Sequence, residues 1–171
     1  IMAKALFVSD TYVKKKSIIS GSVDPDSMLQ FIETAQDMHV QNYLGTELYR
    51  KLMLLVSNGT IVDAANSDYK GLLDDFIKPM LAWYTQAEYI PFASYTLSNK
   101  GLFKHSSENS STLDREEIAG LANRANDKAV FYTNRLINFL CDNSILFPEY
   151  NDTTEDMSPD KDANTAGFYL G

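Results

Sequence analysis

The chain has 171 residues and a formal net charge of −8, with 44% hydrophobic and 22% charged residues. This length fits one domain with a core of its own. Ten Tyr, nine Phe and one Trp exclude a largely disordered chain. The lone cysteine, Cys141, excludes an internal disulfide and a zinc site of several thiolates. We expect neither a membrane helix, which needs about 20 apolar residues, nor a signal peptide.

The charge is unevenly distributed. From Glu149 onward there are six acidic residues and one lysine, whereas the rest of the chain is nearly balanced. A nucleic-acid-binding protein needs a basic surface, and the one basic cluster is Lys14-Lys15-Lys16. These lysines either contact DNA phosphates or an acidic partner, or belong to a solvated arm.

The first elements follow from start and stop signals. Residues 4–23 lack helical periodicity and predict an extended N-terminal arm with a short strand or helical turn. Asp24 and Pro25 then mark a helix start, and Gly45 marks its end. Thr46 is predicted to cap a second helix, which buries one apolar face and ends at residues 57–59. The residues of that face are Leu48, Leu52 and Leu55.

The third helix is predicted to start with Ser67 as its cap, to kink at Pro79 and to end between Ile90 and Ser98. Residues 99–111 form a long polar loop or a short hairpin, in which Gly101 suits a turn. The longest helix opens at Thr112 and spans about thirty residues, roughly 45 Å. Ile145–Pro148 is expected to stop it and fold back on the core.

Side chains capable of chemistry do not converge in this sequence. His39 lacks ligand partners one helical turn away, and His105 lies near Ser106 without a nucleophile motif. Asp74 and Asp75 point about 100° apart on a helix, and Cys141 is expected to be a buried small apolar residue. We therefore predict no catalytic residue, no metal site and no cofactor.

The C-terminal region predicts an interaction. Residues 151–164 are acidic and look disordered, and the chain then ends in Gly167, Phe168, Tyr169, Leu170 and Gly171. A flexible acidic tether with an apolar end suits a docking peptide. The same segment could instead pack on its own body. We accordingly divide the chain into a helical domain, 1–150, and a tail, 151–171.

Three stretches together resemble the head–tail connector (adaptor, or ring) proteins of tailed bacteriophages, especially those of crAss-like phages. They are Leu6–Ser9 with Val23-Asp24 and residues 35–49, then Asn99–Leu102 with its polar loop before a long helix, and Gly167–Leu170. The resemblance spans nearly the whole chain. It implies an all-α bundle of about four main helices, with an extended arm, a long loop and an extended tail.

The resemblance also implies a function. Such a subunit is a virion protein that is made in the host bacterial cytoplasm. Twelve copies of it are expected to form a ring below the portal. Its expected partners are the portal protein and the next tail or ring protein, with DNA only as a channel passenger and no membrane. Partner contacts are expected at Gly167–Leu170 and at Gly101, Leu102 and Phe103. The alternative is a free helical adaptor that binds a partner through its tail.

Overall fold

The computed structural model describes residues 4–17, 24–93, 95–98, 101–104, 115–152, 154 and 156–164. For 95–98 and 101–104 it describes the backbone alone. The fold is all-α, as predicted, with one short β-hairpin. The elements are α1 (Asp10–Lys15), α2 (Pro25–Ala35), α3 (Gln41–Leu44), α4 (Thr46–Ser57), α5 (Ser67–Leu72), α6 (Lys78–Tyr89), β1 (Tyr95–Ser98), β2 (Gly101–Lys104) and α7 (Arg115–Asp142).

The first long helix begins and ends where the sequence predicts. The Asp24 side chain accepts a hydrogen bond from the Asp26 amide, and Pro25 opens α2. A π-helical turn, Gln36–Val40, joins α2 to α3. Gly45 follows with φ +75°, a value that L-residues with side chains rarely adopt. The chain therefore turns sharply into α4.

Helix α4 buries the predicted face, since Leu48 and Leu52 are fully buried and Leu55 nearly so. It ends before Gly59, whose φ is +76°. The predicted caps are wrong at two helix starts. Thr46 is the first residue of α4, without a side-chain cap, and Ser67 likewise begins α5 after Asn66. The Thr46 hydroxyl is instead engaged by the C-terminal segment.

Pro79 lies in the first turn of α6, directly after a second π-helical turn, Leu73–Ile77. Proline lacks an amide hydrogen, and a π turn changes the hydrogen-bond register at the place where that donor is missing. The helical path thus continues past Pro79 without losing its buried stripe. Pro91 lies in a 3₁₀ turn, Ile90–Phe92, which ends the helix within the predicted window.

Helices α6 and α7 form the centre of the bundle. They are joined by the antiparallel hairpin, in which Ser98 pairs with Gly101 and Tyr95 with Lys104. Phe76, just before α6, stacks on Phe139 with ring centres 4.3 Å apart. The buried face of α7 consists of Ala125, Ala129, Thr133, Leu136, Ile137 and Leu140.

The N-terminal arm is part of the core, and its described residues contain a helix, α1. Phe7, Val8 and Val13 are buried. Gln36, fully buried in the first π turn, accepts a hydrogen bond from the Phe7 amide at 2.8 Å and donates one to the Ala5 carbonyl at 3.0 Å. One glutamine side chain thus pairs with the arm's backbone as a neighbouring strand would.

The expectation that residues 151–164 are disordered is wrong for 156–164, the C-terminal segment. The Thr46 amide donates to the Met157 carbonyl at 2.9 Å, and the Asp160 amide donates to the Asn42 carbonyl at 2.9 Å. Ala163 is only 3% exposed. The segment follows the α3–α4 corner despite its charge, because backbone groups there provide its hydrogen bonds.

Candidate interaction surfaces

The described part of the chain has a groove beside the N-terminal arm. It has a volume of about 500 Å³ and is lined by residues 6–10, Tyr12, Leu29 and Lys78. Leu29 on α2 is 37% exposed. The arm provides one wall because Gln36 fixes its backbone, while α2 and α6 provide the others. We call this site the arm groove; its apolar floor and polar rim suit a small apolar insertion.

The rim of the arm groove carries paired charges. Lys78 pairs with Asp74 at 2.5 Å, and Lys14 pairs with Asp10 at 3.2 Å. The pKa of Asp10 is lowered by its hydrogen bond to Lys14, whereas burial raises the pKa of Tyr12. Lys15 and Lys16 are exposed at the end of α1. The lysine cluster therefore lies next to the groove.

A tight turn follows α7 at residues 143–146, the Ile145 turn. The Leu146 amide donates to the Asn143 carbonyl at 2.9 Å, and the Asn151 side chain donates to the Ser144 carbonyl at 3.3 Å. Ile145 is 94% exposed and Leu146 is 46% exposed. The expected return to the core is confirmed for Phe147, which is fully buried, and is wrong for Ile145.

The surroundings of Ile145 are acidic. From Leu136 to Asp160 inclusive the sequence contains six acidic residues and no lysine or arginine, and the next residue, Lys161, lies 5.4 Å from the Tyr150 ring. Asp142 is exposed, whereas Glu149 accepts a hydrogen bond from the Tyr69 hydroxyl at 2.8 Å. Burial and this carboxylate raise the pKa of Tyr69, which keeps the hydroxyl a donor. The Ile145 turn is thus an apolar projection in an acidic region.

Aromatic side chains form a second apolar surface where the hairpin leaves the bundle. Phe31 contacts Tyr89 at 5.3 Å and Phe92 at 5.6 Å between ring centres. Phe92 is 59% exposed. Further along α7, Phe131 is 60% exposed. We call the trio Phe31, Tyr89 and Phe92 the hairpin-end cluster; Phe92 is its exposed member, and the other two are partly buried.

The residues predicted to bind partners fall mostly outside these surfaces. Gly101, Leu102 and Phe103 have their backbone in β2, so part of the predicted loop is the hairpin; their side chains are outside the described structure. Gly167, Phe168, Tyr169 and Leu170 also lie outside the described residues, as does His105.

His39 belongs to a polar cluster that joins three helical segments. Its ring stacks on Tyr84 at 3.8 Å, and its Nε2 lies 3.2 Å from Glu88 Oε1. The His39 hydrogen bond lowers the pKa of Glu88 despite partial burial. Tyr84 accepts a hydrogen bond from Thr133 of α7 at 3.2 Å. Each polar group has a partner within the bundle, which favours a structural role.

Two other predictions can be compared with the structure. Asp74 bridges Lys70 and Lys78, both at 2.5 Å, whereas Asp75 is exposed on another side of the helix. The two carboxylates do not converge. The prediction that Cys141 is buried is wrong, since it is exposed. It follows the buried Leu140 by one residue, which turns its side chain by about 100° around α7.

Sequence reasoning missed both the arm groove and the Ile145 turn. The groove depends on packing between the arm and two distant helices, which local periodicity does not report. A signal for the turn was present, because Asn143, Ser144 and Pro148 are turn residues that surround Ile145. A large apolar residue at the tip of a turn cannot share the helix's buried face.

The described residues form neither a metal-ligand cluster nor a membrane-spanning helix. No group of three or more His, Cys, Asp or Glu side chains is arranged there to hold a metal ion. Across the same residues, no helix combines the length and the apolar character needed to cross a membrane.

These features define an all-α protein with apolar surfaces outside its core. Residues 40–159 match DUF6712, a family of unknown function, and the chain belongs to this family. The match covers the chain from the first π turn to Pro159, and so includes the Ile145 turn but not the N-terminal arm. No curated protein and no solved structure shows a significant match to the chain.

Proposed function

We propose that this protein is a structural subunit of a phage head–tail connector, forming a ring below the portal that extends the DNA channel. The observation that carries the proposal is the exposure of large apolar side chains at both ends of α7. Phe92 lies near its N-terminal half and Ile145 follows its C-terminal end, with exposures of 59% and 94%. A subunit that contacts several neighbours needs such separate surfaces.

The length of α7 supports the same function. Its 28 residues extend for about 42 Å at the usual helical rise. Residues 115–124 include no fully buried side chain, although Ile118 and Leu121 continue the apolar stripe. The core of the bundle therefore uses only part of the helix. The remaining apolar face is available to a neighbouring subunit.

The charge distribution suits a channel that DNA passes through. The net charge is −8, and the C-terminal segment places several carboxylates along the α3–α4 corner. An acidic wall repels DNA phosphates and lets the duplex slide, whereas a basic wall would hold it. DNA is then a passenger rather than a ligand.

Loss of the protein tests the proposed function. A phage with a stop codon early in this gene should package DNA but yield heads and tails that are not joined. Electron microscopy of the lysate would count joined and separate particles, and complementation with the wild-type gene controls for polar effects. Normal joined particles without the protein would refute the connector function and favour a free adaptor.

The terminal apolar segment gives a second test. Removal of residues 165–171 should leave the fold intact, because the C-terminal segment is held by the backbone hydrogen bonds of Met157 and Asp160 and by the buried Ala163. If Gly167–Leu170 contact the portal or a neighbouring subunit, the truncated protein should be absent from particles. Truncated protein incorporated at the normal level would exclude a role for this segment in attachment.

A further inference from the structure

We propose that the Ile145 turn of one copy inserts into the arm groove of a second copy. This interface deepens the proposed function and rests on it, since a ring needs a contact between unlike surfaces of identical subunits. Such a head-to-tail contact closes into a ring when the rotation between subunits is suitable. The occupant of the groove is therefore a second copy of this chain.

The groove has the size and lining for this occupant. Its volume is about 500 Å³, enough for a branched aliphatic side chain and its neighbour in the turn. Leu6 and Leu29 provide partly exposed apolar walls. Gln36 holds the arm's backbone with two hydrogen bonds, so the groove exists before binding. A preformed site lowers the entropic cost of association.

The Ile145 turn is equally preformed. Hydrogen bonds from the Leu146 amide and the Asn151 side chain fix its backbone, and the buried Phe147 anchors the next residue. Ile145 is thereby presented at the tip with 94% of its surface exposed. Such a side chain in water lacks the stabilisation that burial of its apolar surface would give. Insertion into an apolar groove provides that stabilisation.

Charge complementarity selects this pairing. Lys4, Lys14 and Lys78 each pair with a carboxylate of the same subunit. The positive charge beside the groove therefore comes from Lys15 and Lys16, which are exposed. The Ile145 turn lies close after Asp142, whose carboxylate is also exposed. Docking one on the other brings opposite charges together around an apolar centre, which favours the correct orientation. Two Ile145 turns facing each other would instead juxtapose like charges.

Cysteine crosslinking tests the contact directly. In a Cys141→Ser background, the full-length double variant Leu29→Cys/Ile145→Cys should form a ladder of oligomers under mild oxidation, resolved on a non-reducing gel. Mixing the two single variants should give dimers only. Each single variant alone should stay at background, because like surfaces do not meet.

A matched control places the second cysteine elsewhere on α7. Asn126 is exposed and lies about 24 Å along the helix from Asp142. The Leu29→Cys/Asn126→Cys variant should form no ladder. A double variant that crosslinks no more than this control overturns the proposal. Efficient dimers of Ile145→Cys alone would also overturn it, since the turn would then bind another copy of itself.

The test also separates other occupants of the groove. Removal of residues 165–171 from the double variant should leave the ladder unchanged. A ladder that forms only after truncation would assign the groove of the full-length chain to the terminal apolar segment and overturn the proposal. A circular dichroism spectrum and a thermal melt equal to the wild type confirm that each variant folds.

The same crosslink in purified particles distinguishes this interface from the proposed function. Particles that contain the double variant but yield no ladder overturn the interface and leave the connector function intact. A ladder formed in solution by a protein absent from particles refutes the connector function and leaves the interface standing. A ladder in both settings supports both.

Discussion

Two corners of this protein follow helix ends and differ in how they meet solvent. At Gly45–Thr46, between α3 and α4, the C-terminal segment covers the turn with backbone hydrogen bonds and the Pro159 ring. At residues 143–146, after α7, the chain holds the turn firmly but leaves Ile145 94% exposed. The covered corner consists mainly of small and polar residues. The uncovered corner presents one of the most apolar residue types.

The comparison shows that the chain is long enough to cover the Ile145 side chain but does not do so. The chain continues past Phe147 and passes over the Gly45 corner instead, where Ala163 becomes buried. A covering segment stabilises the fold of one subunit, whereas an exposed apolar tip costs solvation free energy unless a partner covers it. The covered corner thus stabilises the fold of one subunit, whereas the uncovered corner is suited to contact with a partner.

The largest expected effect comes from replacing Gly45. A Cβ at this position would lie 2.7 Å from Pro159 Cδ, and the φ of +75° is itself unfavourable for alanine. Gly45→Ala should lower the free energy of unfolding by about 2–4 kcal/mol. Gly59→Ala is the control for a left-handed backbone alone, with φ +76°, ψ 4° and no atom near its Cβ, and should cost only about 1 kcal/mol. Gly45 has ψ 161°, a backbone region essentially confined to glycine. Urea denaturation measures both, and equal losses would argue against both this backbone strain and the contact with Pro159.

The next effect concerns the buried alanine of the C-terminal segment. Ala163→Asp places a carboxylate where the side chain is 3% exposed, and should cost about 1–3 kcal/mol of stability or release the segment. Amide hydrogen exchange at Thr46 should rise in parallel, because its partner is the Met157 carbonyl. An unchanged exchange rate would contradict the covered corner. Ala163→Ser, a smaller change, serves as control.

A smaller effect is expected from the Thr46 hydroxyl. It accepts a hydrogen bond from the Met157 amide at 3.2 Å. Thr46→Val keeps the shape and removes the acceptor, and should cost about 1 kcal/mol. Thr46→Ser retains the hydroxyl and should cost less. If Thr46→Ser loses more stability than Thr46→Val, the methyl group rather than the hydrogen bond holds the segment.

The smallest effect on stability is expected at the uncovered corner. Ile145→Asp replaces an exposed apolar side chain with a charged one, and it should change the free energy of unfolding by less than about 0.5 kcal/mol. The same variant should nevertheless lose association with other copies, measured by sedimentation or by incorporation into particles. A loss of stability comparable with that of Ala163→Asp would show that Ile145 supports its own fold.

Much of the helical body is predictable because its signals are local. The Asp24–Pro25 start, the Gly45 turn and the spacing of Leu48, Leu52 and Leu55 each depend on residues within a few turns of one another. The π turns are not predictable in this way. They place the polar Gln36 in the core, where its partners are backbone groups of the arm about thirty residues away.

The two corners show why the interaction surfaces are harder to predict. The C-terminal segment has the composition of a solvated chain, yet its hydrogen bonds join residues as distant in sequence as Thr46 and Met157. Ile145 has the composition of a core residue, yet the preceding turn directs it outward. Composition reports the tendency of a residue to be buried, whereas its exposure depends on the path of the surrounding backbone.

The copy number of this chain in purified particles tests the central claim most directly. Quantitative mass spectrometry against isotope-labelled peptides would compare it with the portal subunit of the same particles. The connector function predicts equal copy numbers of the two proteins, because a ring below the portal follows its symmetry. Absence of the chain from intact, joined particles would contradict that function.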